Sequence, residues 1–263
     1  MKDSVKSPAA AAGPRVLHPQ AVTAYAPANH VATSNRRIVA PDTVGARHME
    51  VLVGTIAAGG RGLPHAHPTL EQAGIVLAGR AVSTLGGVTR ELRAGDVDYI
   101  PRNAFHAAKV VSEEPLELVV IYAPPYLENP AARVLEPQAD VPPPQVFPPV
   151  SLPPVATRDE LRAGACELVP VLDAARTGAR HIAISHLRMG AGAVYALAAQ
   201  QGAEQLLMVR AGSLRGVAAG QKAAVFAGEW VFVPDHAGCT LQADAEGLDA
   251  ILVIGRGEPP ASG

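Results

Sequence analysis

Short apolar runs separated by glycine, proline and aspartate dominate the body of the chain, and helix signals are almost absent from it. Met49, Val51 and Val53 alternate with their neighbours, as expected for a β-strand, whose successive side chains point to opposite faces. On this parity His48 and Glu50 fall on the other face, at a surface or an interface. The pattern as a whole predicts an all-β fold.

An internal repeat with a constant offset of 133 residues runs through this pattern. Residues 45–48 recur as 178–181, and the apolar run 119–121 is expected to recur as 252–254 without a gap. The other matched pairs are Gly59 and Gly192, Glu71 and Glu204, Gln72 and Gln205, Gly79 and Gly212, Gly95 and Gly228, and Pro101 and Pro234. Turns that need a positive or fixed φ require glycine or proline, so these residue types must recur. The repeat predicts two tandem copies of one structural unit.

Three histidines of the first copy have the spacing of a metal site. His65 and His67 are separated by one residue, so they point the same way on a strand. His106 follows the strand predicted between Gly95 and Pro101. Three imidazoles of this kind suit Zn, Fe, Mn, Ni or Cu. The second copy carries other residues at the matched positions, namely Ala198, Gln200 and Cys239. We therefore expect a metal in the first copy and none in the second.

The two blocks around these histidines resemble the paired motifs of the cupin superfamily. The first block runs from Gly59 through the histidine pair to Gly79, and the second from Gly95 through Pro101 to His106. This resemblance, which is good over residues 45–123, implies small antiparallel β-barrels of the jelly-roll or double-stranded β-helix type with a metal in the mouth. The chain is thereby predicted to hold two such barrels in tandem, a bicupin arrangement.

The fourth ligand lies at one of two neighbouring positions. Cupins usually place a glutamate here, with six residues between it and the closing glycine, and in this chain that position is Gln72, with Glu71 beside it. Alternation sends the two side chains to opposite faces unless a bulge intervenes. The first block resembles pectin-degradation cupins with three histidines and a glutamine, which favours Gln72. The repeat of the pair in the histidine-free copy leaves a structural role open.

Three further residues are candidates for catalysis. Arg47 shares parity with the inward strand residues and could hold a substrate carboxylate, although its repeat partner Arg180 favours a structural salt bridge. Tyr99 is expected to face the barrel, with Asp96 and Asp98 toward water, and it could orient substrate or serve as a core aromatic. Glu71 could act as a base only if a bulge turned it inward.

Proline content and the repeat define the expected domains. Eleven of the 24 prolines fall in residues 124–154, which predicts an extended connector. The predicted segments are an N-terminal tail or arm (1–38), a metal-binding barrel (39–127), a proline-rich linker with a short helix from Thr157 (128–165), and a metal-free barrel (166–258).

Composition limits the partners and the compartment. The net charge is −2, and no cluster of lysine and arginine suggests a nucleic acid or a membrane surface. Two cysteines are too few for a disulfide framework and fit a reducing cytosol. We expect a cytoplasmic protein with a small-molecule substrate and, by analogy with cupins, a homodimer or higher homo-oligomer.

The resemblance also implies a reaction class. Cupins with a glutamine in the ligand set resemble isomerases and lyases in which a divalent Mn, Fe, Ni or Zn acts as a Lewis acid on a small polar carbonyl or enol substrate. Two alternatives remain: an iron-dependent dioxygenase, for which Glu71 would be the better ligand, and a non-enzymatic metal- or small-ligand-binding protein.

Overall fold

A computed structural model describes residues 13–137, 141–161, 164–216 and 223–257. These residues form antiparallel β-structure with little helix. The strands are β1 (Arg15–Leu17), β2 (Ala24–Tyr25), β3 (His30–Val39), β4 (Glu50–His65), β5 (Glu71–Ala78), β6 (Arg80–Leu85), β7 (Val88–Arg93), β8 (Asp96–Ile100), β9 (His106–Val110), β10 (Leu116–Ala123), β11 (Val150–Ser151), β12 (Cys166–Leu172), β13 (Ile182–Met189), β14 (Val194–Leu197), β15 (Ala203–Arg215), β16 (Ala224–Phe226), β17 (Trp230–Val233) and β18 (Cys239–Arg256). The helical segments are α1 (Ala174–Thr177) and the 3-10 turns Pro19–Ala21, Pro130–Ala132 and Arg158–Glu160.

The strands form two sheets, one for each copy of the repeat. The first sheet has ten strands, with β10 between β5 and β4, and β9 between β4 and β6. The second has eight, with β18 between β15 and β13 in the matching positions. The all-β prediction with two tandem barrels is confirmed. None of the helices in the described segments is long and apolar enough to cross a lipid bilayer.

The structure places the sheet boundaries differently from the predicted segments. β2 and β3 pair into the first sheet, which therefore begins at Ala24 rather than at residue 39. β1 pairs with β17, so the N-terminal arm crosses to the second barrel. The linker returns to the first barrel where β11 pairs with β8, and its expected short helix is the 3-10 turn capped by Thr157. Because β3 is mostly polar, its sequence did not predict a strand.

The repeat loses one residue before its last strand. Ile121 pairs with Val51 and Ala73, whereas their counterparts Ile184 and Leu206 pair with Val253. The offset is therefore 132 in this strand, and the expected match of 119–121 with 252–254 is wrong by one position. The cause is the preceding turn, which is one residue shorter in the second copy.

The two faces of the first sheet are exchanged relative to the expectation. Met49, Val51 and Tyr99 pack in a cluster with second-barrel residues such as Ile184 and Phe232, so they face the other barrel. The opposite faces of these strands line the lumen of the first barrel. Asp96 and Asp98, expected to face water, are buried at 7% and 3% exposure, and Glu50 at 1%. Because the second barrel covers the outer face at this position, both faces of β8 are buried.

A reciprocal pair of glutamates joins the barrels. The Glu71 carboxylate accepts hydrogen bonds from the backbone N–H groups of Arg180 and His181, both at 2.9 Å. Glu204 accepts from the backbone N–H groups of Arg47 and His48 at 2.7 and 2.9 Å. Each glutamate of the repeat thus binds the 45–48 or 178–181 segment of the other copy, which explains why both features recur at one offset.

Candidate metal centre in the first barrel

The three predicted histidines meet at one end of the first barrel. His65 ends β4 and lies directly opposite His106, the first residue of β9, and His67 follows two residues after His65. Their ligand nitrogens all lie within 4.8 Å of one another, and all three residues are buried. Among the described residues, this is the one group of three or more His, Cys, Asp or Glu side chains close enough to hold a metal ion.

Backbone carbonyls orient each imidazole. The Nδ1 atoms of His65, His67 and His106 lie 2.7, 2.9 and 3.0 Å from the carbonyl oxygens of residues 63, 132 and 104. A carbonyl oxygen only accepts, so Nδ1 carries the proton and Nε2 presents its lone pair. The Nε2 atoms of His67 and His106 are buried without a hydrogen-bond partner. This is the arrangement by which proteins fix the tautomer of metal-binding histidines.

Burial keeps these imidazoles neutral. Desolvation lowers the pKa of His65 and of His67 to about 4, and it lowers the pKa of His106 well below its ordinary value. A neutral imidazole is the form that binds a metal ion. The three side chains are therefore in their metal-binding protonation state at neutral pH.

Gln72 lies on the lumen side of β5, in the same cavity as His65 and His106. Its backbone pairs with Tyr122 of β10 and Ile100 of β8. Its Oε1 atom is buried and has no hydrogen-bond partner, although buried amide oxygens normally have one. The residues present therefore fit a divalent cation, which would satisfy the unpaired Nε2 and Oε1 atoms.

The matched region of the second barrel has a different arrangement. Ala198, at the position of His65, accepts a hydrogen bond at its carbonyl from Nε2 of Gln205, the counterpart of Gln72. Gln200 and Cys239 are both half-buried. The glutamine of the second barrel is thus held by the backbone, whereas the Oε1 atom of Gln72 in the first barrel has no hydrogen-bond partner.

Residues 52–122 match the family model described as Cupin domain. The chain is also 32% identical, over 71 residues, to an uncharacterized protein of Methanocaldococcus jannaschii, a match that covers 27% of this chain and 57% of that protein. The first barrel is therefore a cupin domain, followed in the chain by a second barrel of the same topology.

Solved structures show the same two-barrel cupin fold along nearly the whole chain. A Pseudomonas aeruginosa protein provisionally described as glyoxylate induced has a TM-score of 0.72 at 14% identity, covering 95% of this chain and 91% of that one. Protein Ylba from E. coli has a TM-score of 0.68 at 12% identity, covering 95% and 93%. Oxalate decarboxylase from Bacillus subtilis has a TM-score of 0.64 at 11% identity, covering 97% and 78%. At these identities the likeness concerns the fold alone.

The three candidate catalytic residues lie away from the cupin cavity. Glu71 uses both carboxylate oxygens in the inter-barrel contact described above. Tyr99 packs in the inter-barrel cluster, where burial and the neighbouring Glu71 carboxylate raise its pKa. Arg47 is exposed. Within the described chain, none of the three lines the cavity that holds His65, and no bulge turns Glu71 inward.

A narrow cavity of about 100 Å³ extends from the histidines into the first barrel. Asp98 lines it and is held by an ion pair with Arg90. Burial raises the pKa of Asp98 to about 6, against the opposing effect of Arg90. Sequence reasoning missed this carboxylate because parity sent it outward. The repeat held a usable signal, since Val231, at the same offset, is an ordinary apolar core residue.

The segment after β10 covers the histidines. The Tyr126 ring lies 4.8 Å from the His67 ring, centroid to centroid, and Ala132 supplies the carbonyl that orients His67. Glu50, also missed from sequence, accepts hydrogen bonds from the backbone N–H groups of Tyr126 and Leu127 at 2.8 and 2.6 Å. A buried carboxylate thus fixes the segment that covers the histidines.

Proposed function

We propose that the first barrel binds one divalent transition metal through His65, His67, His106 and Gln72, and that the protein is a metal-dependent isomerase or lyase acting on a small carbonyl compound. The observation that carries this proposal is the group of three buried histidines whose ligand nitrogens lie within 4.8 Å of one another, with the unpaired Oε1 atom of Gln72 in the cavity that His65 and His106 line. Isolated buried acceptors of this kind cost free energy unless a ligand satisfies them.

The donor set favours Lewis-acid chemistry. Three neutral imidazoles and a neutral amide leave the full charge of a divalent ion uncancelled, and such an ion polarises a carbonyl oxygen and lowers the pKa of the adjacent C–H. The carbonyl groups of residues 63, 104 and 132 hold the histidine lone pairs toward the ion. The buried position of the three rings excludes water from the reacting end.

The alternatives are less well supported. An iron-dependent dioxygenase fits a carboxylate ligand better, and Glu71 is engaged with the second barrel. A non-enzymatic ligand-binding role requires no acid or base in the cavity, and Asp98 lies in its wall. Both alternatives are retained as outcomes of the experiment below.

The test combines metal content with turnover. We expect the full chain, purified without added metal, to contain about one equivalent of Mn, Fe, Ni or Zn by elemental analysis, and His106→Ala to contain none. Metal-free protein reloaded with each ion would be incubated with hydroxy-carbonyl compounds and followed by proton exchange at the α-carbon in NMR. Oxygen uptake would instead support the dioxygenase, and ligand binding without exchange would support the binding protein. Absence of metal binding would overturn the proposal.

A further inference from the structure

The lumen of the first barrel restricts what can reach the histidines. We infer that its ligand is a small bifunctional molecule with an oxygen-bearing end at the histidines, a short aliphatic body, and an O–H or N–H donor that meets Asp98. A second carboxylate at the far end is excluded. This inference rests on the proposed metal site and specifies its substrate class.

The size of the ligand follows from the cavity. The volume of about 100 Å³ is enclosed by the strands of the first barrel. One water-sized group needs about 10–15 Å³ of this kind of volume, so the space holds roughly seven to ten non-hydrogen atoms. A ligand of this size fills the cavity when its chelating end is at the histidines.

The walls of the cavity are predominantly aliphatic. Besides the histidine end and Asp98, it is lined by Ile56, Val76, Leu92, Leu116, Leu118 and Val120, with Thr33, Asn35 and Ser83 among its few other polar residues. A sugar in this space would lose water from more hydroxyl groups than these few polar side chains can hydrogen-bond. An aliphatic body instead gains free energy as its surface leaves water.

Asp98 and Gly74 face the cavity between the level of Gln72 and that of Val76 on β5. The two residues pair directly across β8 and β5, and a Cβ added to Gly74 would meet nothing within 4 Å. Gly74 and Gln72 lie two positions apart on the same strand face, which corresponds to about 7 Å. A short ligand can therefore reach from the chelating end near Gln72 to the Asp98 carboxylate.

The charge of Asp98 determines which group of a ligand it can bind. Arg90 binds the carboxylate and also donates to the carbonyl oxygen of Phe147, and it is absent from the cavity wall in the described chain. The ion pair with Arg90 favours the ionised carboxylate, and although burial raises the pKa of Asp98 to about 6, that value still lies below neutral pH. An ionised carboxylate accepts a hydrogen bond from a hydroxyl or amine and repels a second carboxylate.

The experiment uses ligands that share one chelating group and differ only at the far end. The full chain loaded with Co²⁺ would be titrated with pentanohydroxamate, 4-hydroxybutanohydroxamate and succinate monohydroxamate, following the visible absorption of the ion. At neutral pH we expect the hydroxyl-bearing probe to bind most tightly and the carboxylate-bearing probe about tenfold or more weakly, equivalent to about 1.4 kcal/mol. Equal affinity for all three, or preference for the carboxylate, would overturn the inference.

Two variants and a control assign the effect to the cavity. Asp98→Asn removes the charge at similar volume, and we expect the difference between the hydroxyl and carboxylate probes to shrink to about threefold or less. Gly74→Leu places the second barrel's residue in the open space, and all three probes should lose affinity while Co²⁺ stays bound. Glu117→Gln, an exposed change on β10, should leave the series unaltered. If Asp98→Asn kept the full discrimination, Asp98 would not be its source.

The possible failures are separable. If Co²⁺ does not bind, or binds equally well to His106→Ala, the proposed function fails and the inference with it. If Co²⁺ binds at the histidines and the hydroxamates bind without discrimination at the far end, the proposed metal site stands and the substrate class alone is wrong.

Discussion

The two barrels share a fold and differ in what fills them. In the first, the paired positions Gly74 and Asp98 leave open space beside a buried charge. In the second, the same pair is Leu207 and Val231, both fully buried in an apolar cluster. One lumen is a cavity that ends at three histidines, and the other is a packed core. The barrel therefore folds whether its lumen is an open cavity or is filled by apolar side chains.

What the barrels retain in common is the contact between them. Glu71 and Glu204 each cap the backbone of the other copy, and the turn glycines recur at matched positions. These residues position the sheets, whereas the lumen residues determine what each sheet can bind. The second barrel, on this comparison, supports the first by covering the outer face of its sheet.

The largest expected effect is loss of metal affinity on removing a first-barrel ligand. His106→Ala should weaken Co²⁺ or Zn²⁺ binding about a thousandfold, since each ligand of a four-ligand site contributes about 4 kcal/mol. Competition with a chromophoric chelator measures the affinity. Cys239→Ala, at the matched position of the second barrel, is the control and should leave the affinity unchanged. An equal loss in both variants would contradict the assignment of the metal to one barrel.

Emptying the second barrel should cost stability without creating a binding site. Leu207→Ala removes a fully buried side chain from the packed lumen, and we expect the free energy of unfolding to fall by about 4 kcal/mol. Urea denaturation provides the measurement. Gly74→Ala adds a methyl group to open space in the first barrel and should cost less than about 1 kcal/mol. Comparable losses in the two variants would mean that the lumens are packed alike.

The buried Asp98 carboxylate makes the stability of the first barrel depend on pH. The folded state raises the pKa of Asp98 from its ordinary value of 3.8 to about 6, so the folded protein binds more protons in this range than the unfolded chain. The contribution of Asp98 to stability is thus present at low pH and is lost as pH rises through about 6, by up to about 3 kcal/mol.

The difference between wild type and Asp98→Asn isolates this effect. Unfolding free energies of the two proteins should diverge as pH rises from about 4 to about 6, with the wild type losing the additional stability. Wild type and Glu117→Gln should instead run in parallel, because Glu117 is exposed. Parallel curves for Asp98→Asn would show that Arg90 fully offsets the burial of the carboxylate.

The smallest expected effect concerns the inter-barrel glutamates. Glu71→Gln and Glu204→Gln each keep an acceptor oxygen and lose the charge, so each should lower the free energy of unfolding by about 1 to 2 kcal/mol. Neither should change metal affinity in the chelator assay. A selective loss of metal in Glu71→Gln would return Glu71 to the site and favour the dioxygenase alternative.

Sequence alone determined the all-β fold, the tandem repeat and the three histidines. These features are local or periodic: the spacing of His65 and His67 fixes their common direction on a strand, and turns require glycine at defined positions. Alternation also separated Gln72 from Glu71, and the count back from Gly79 favoured Gln72, which lines the cavity of the first barrel. The repeat reasoning was wrong by one position in the last strand, because the turn before it is one residue shorter in the second copy.

Only the tertiary structure decided which face of each strand is the lumen. Parity divides side chains into two sets, and it identifies the inner set only when the other faces water. Here the second barrel covers the outer face, so Tyr99 fell in the wrong set, and Asp98 and Glu50 were missed. The pairing of β1 with β17 and of β11 with β8 joins residues far apart in the chain, which no local pattern encodes.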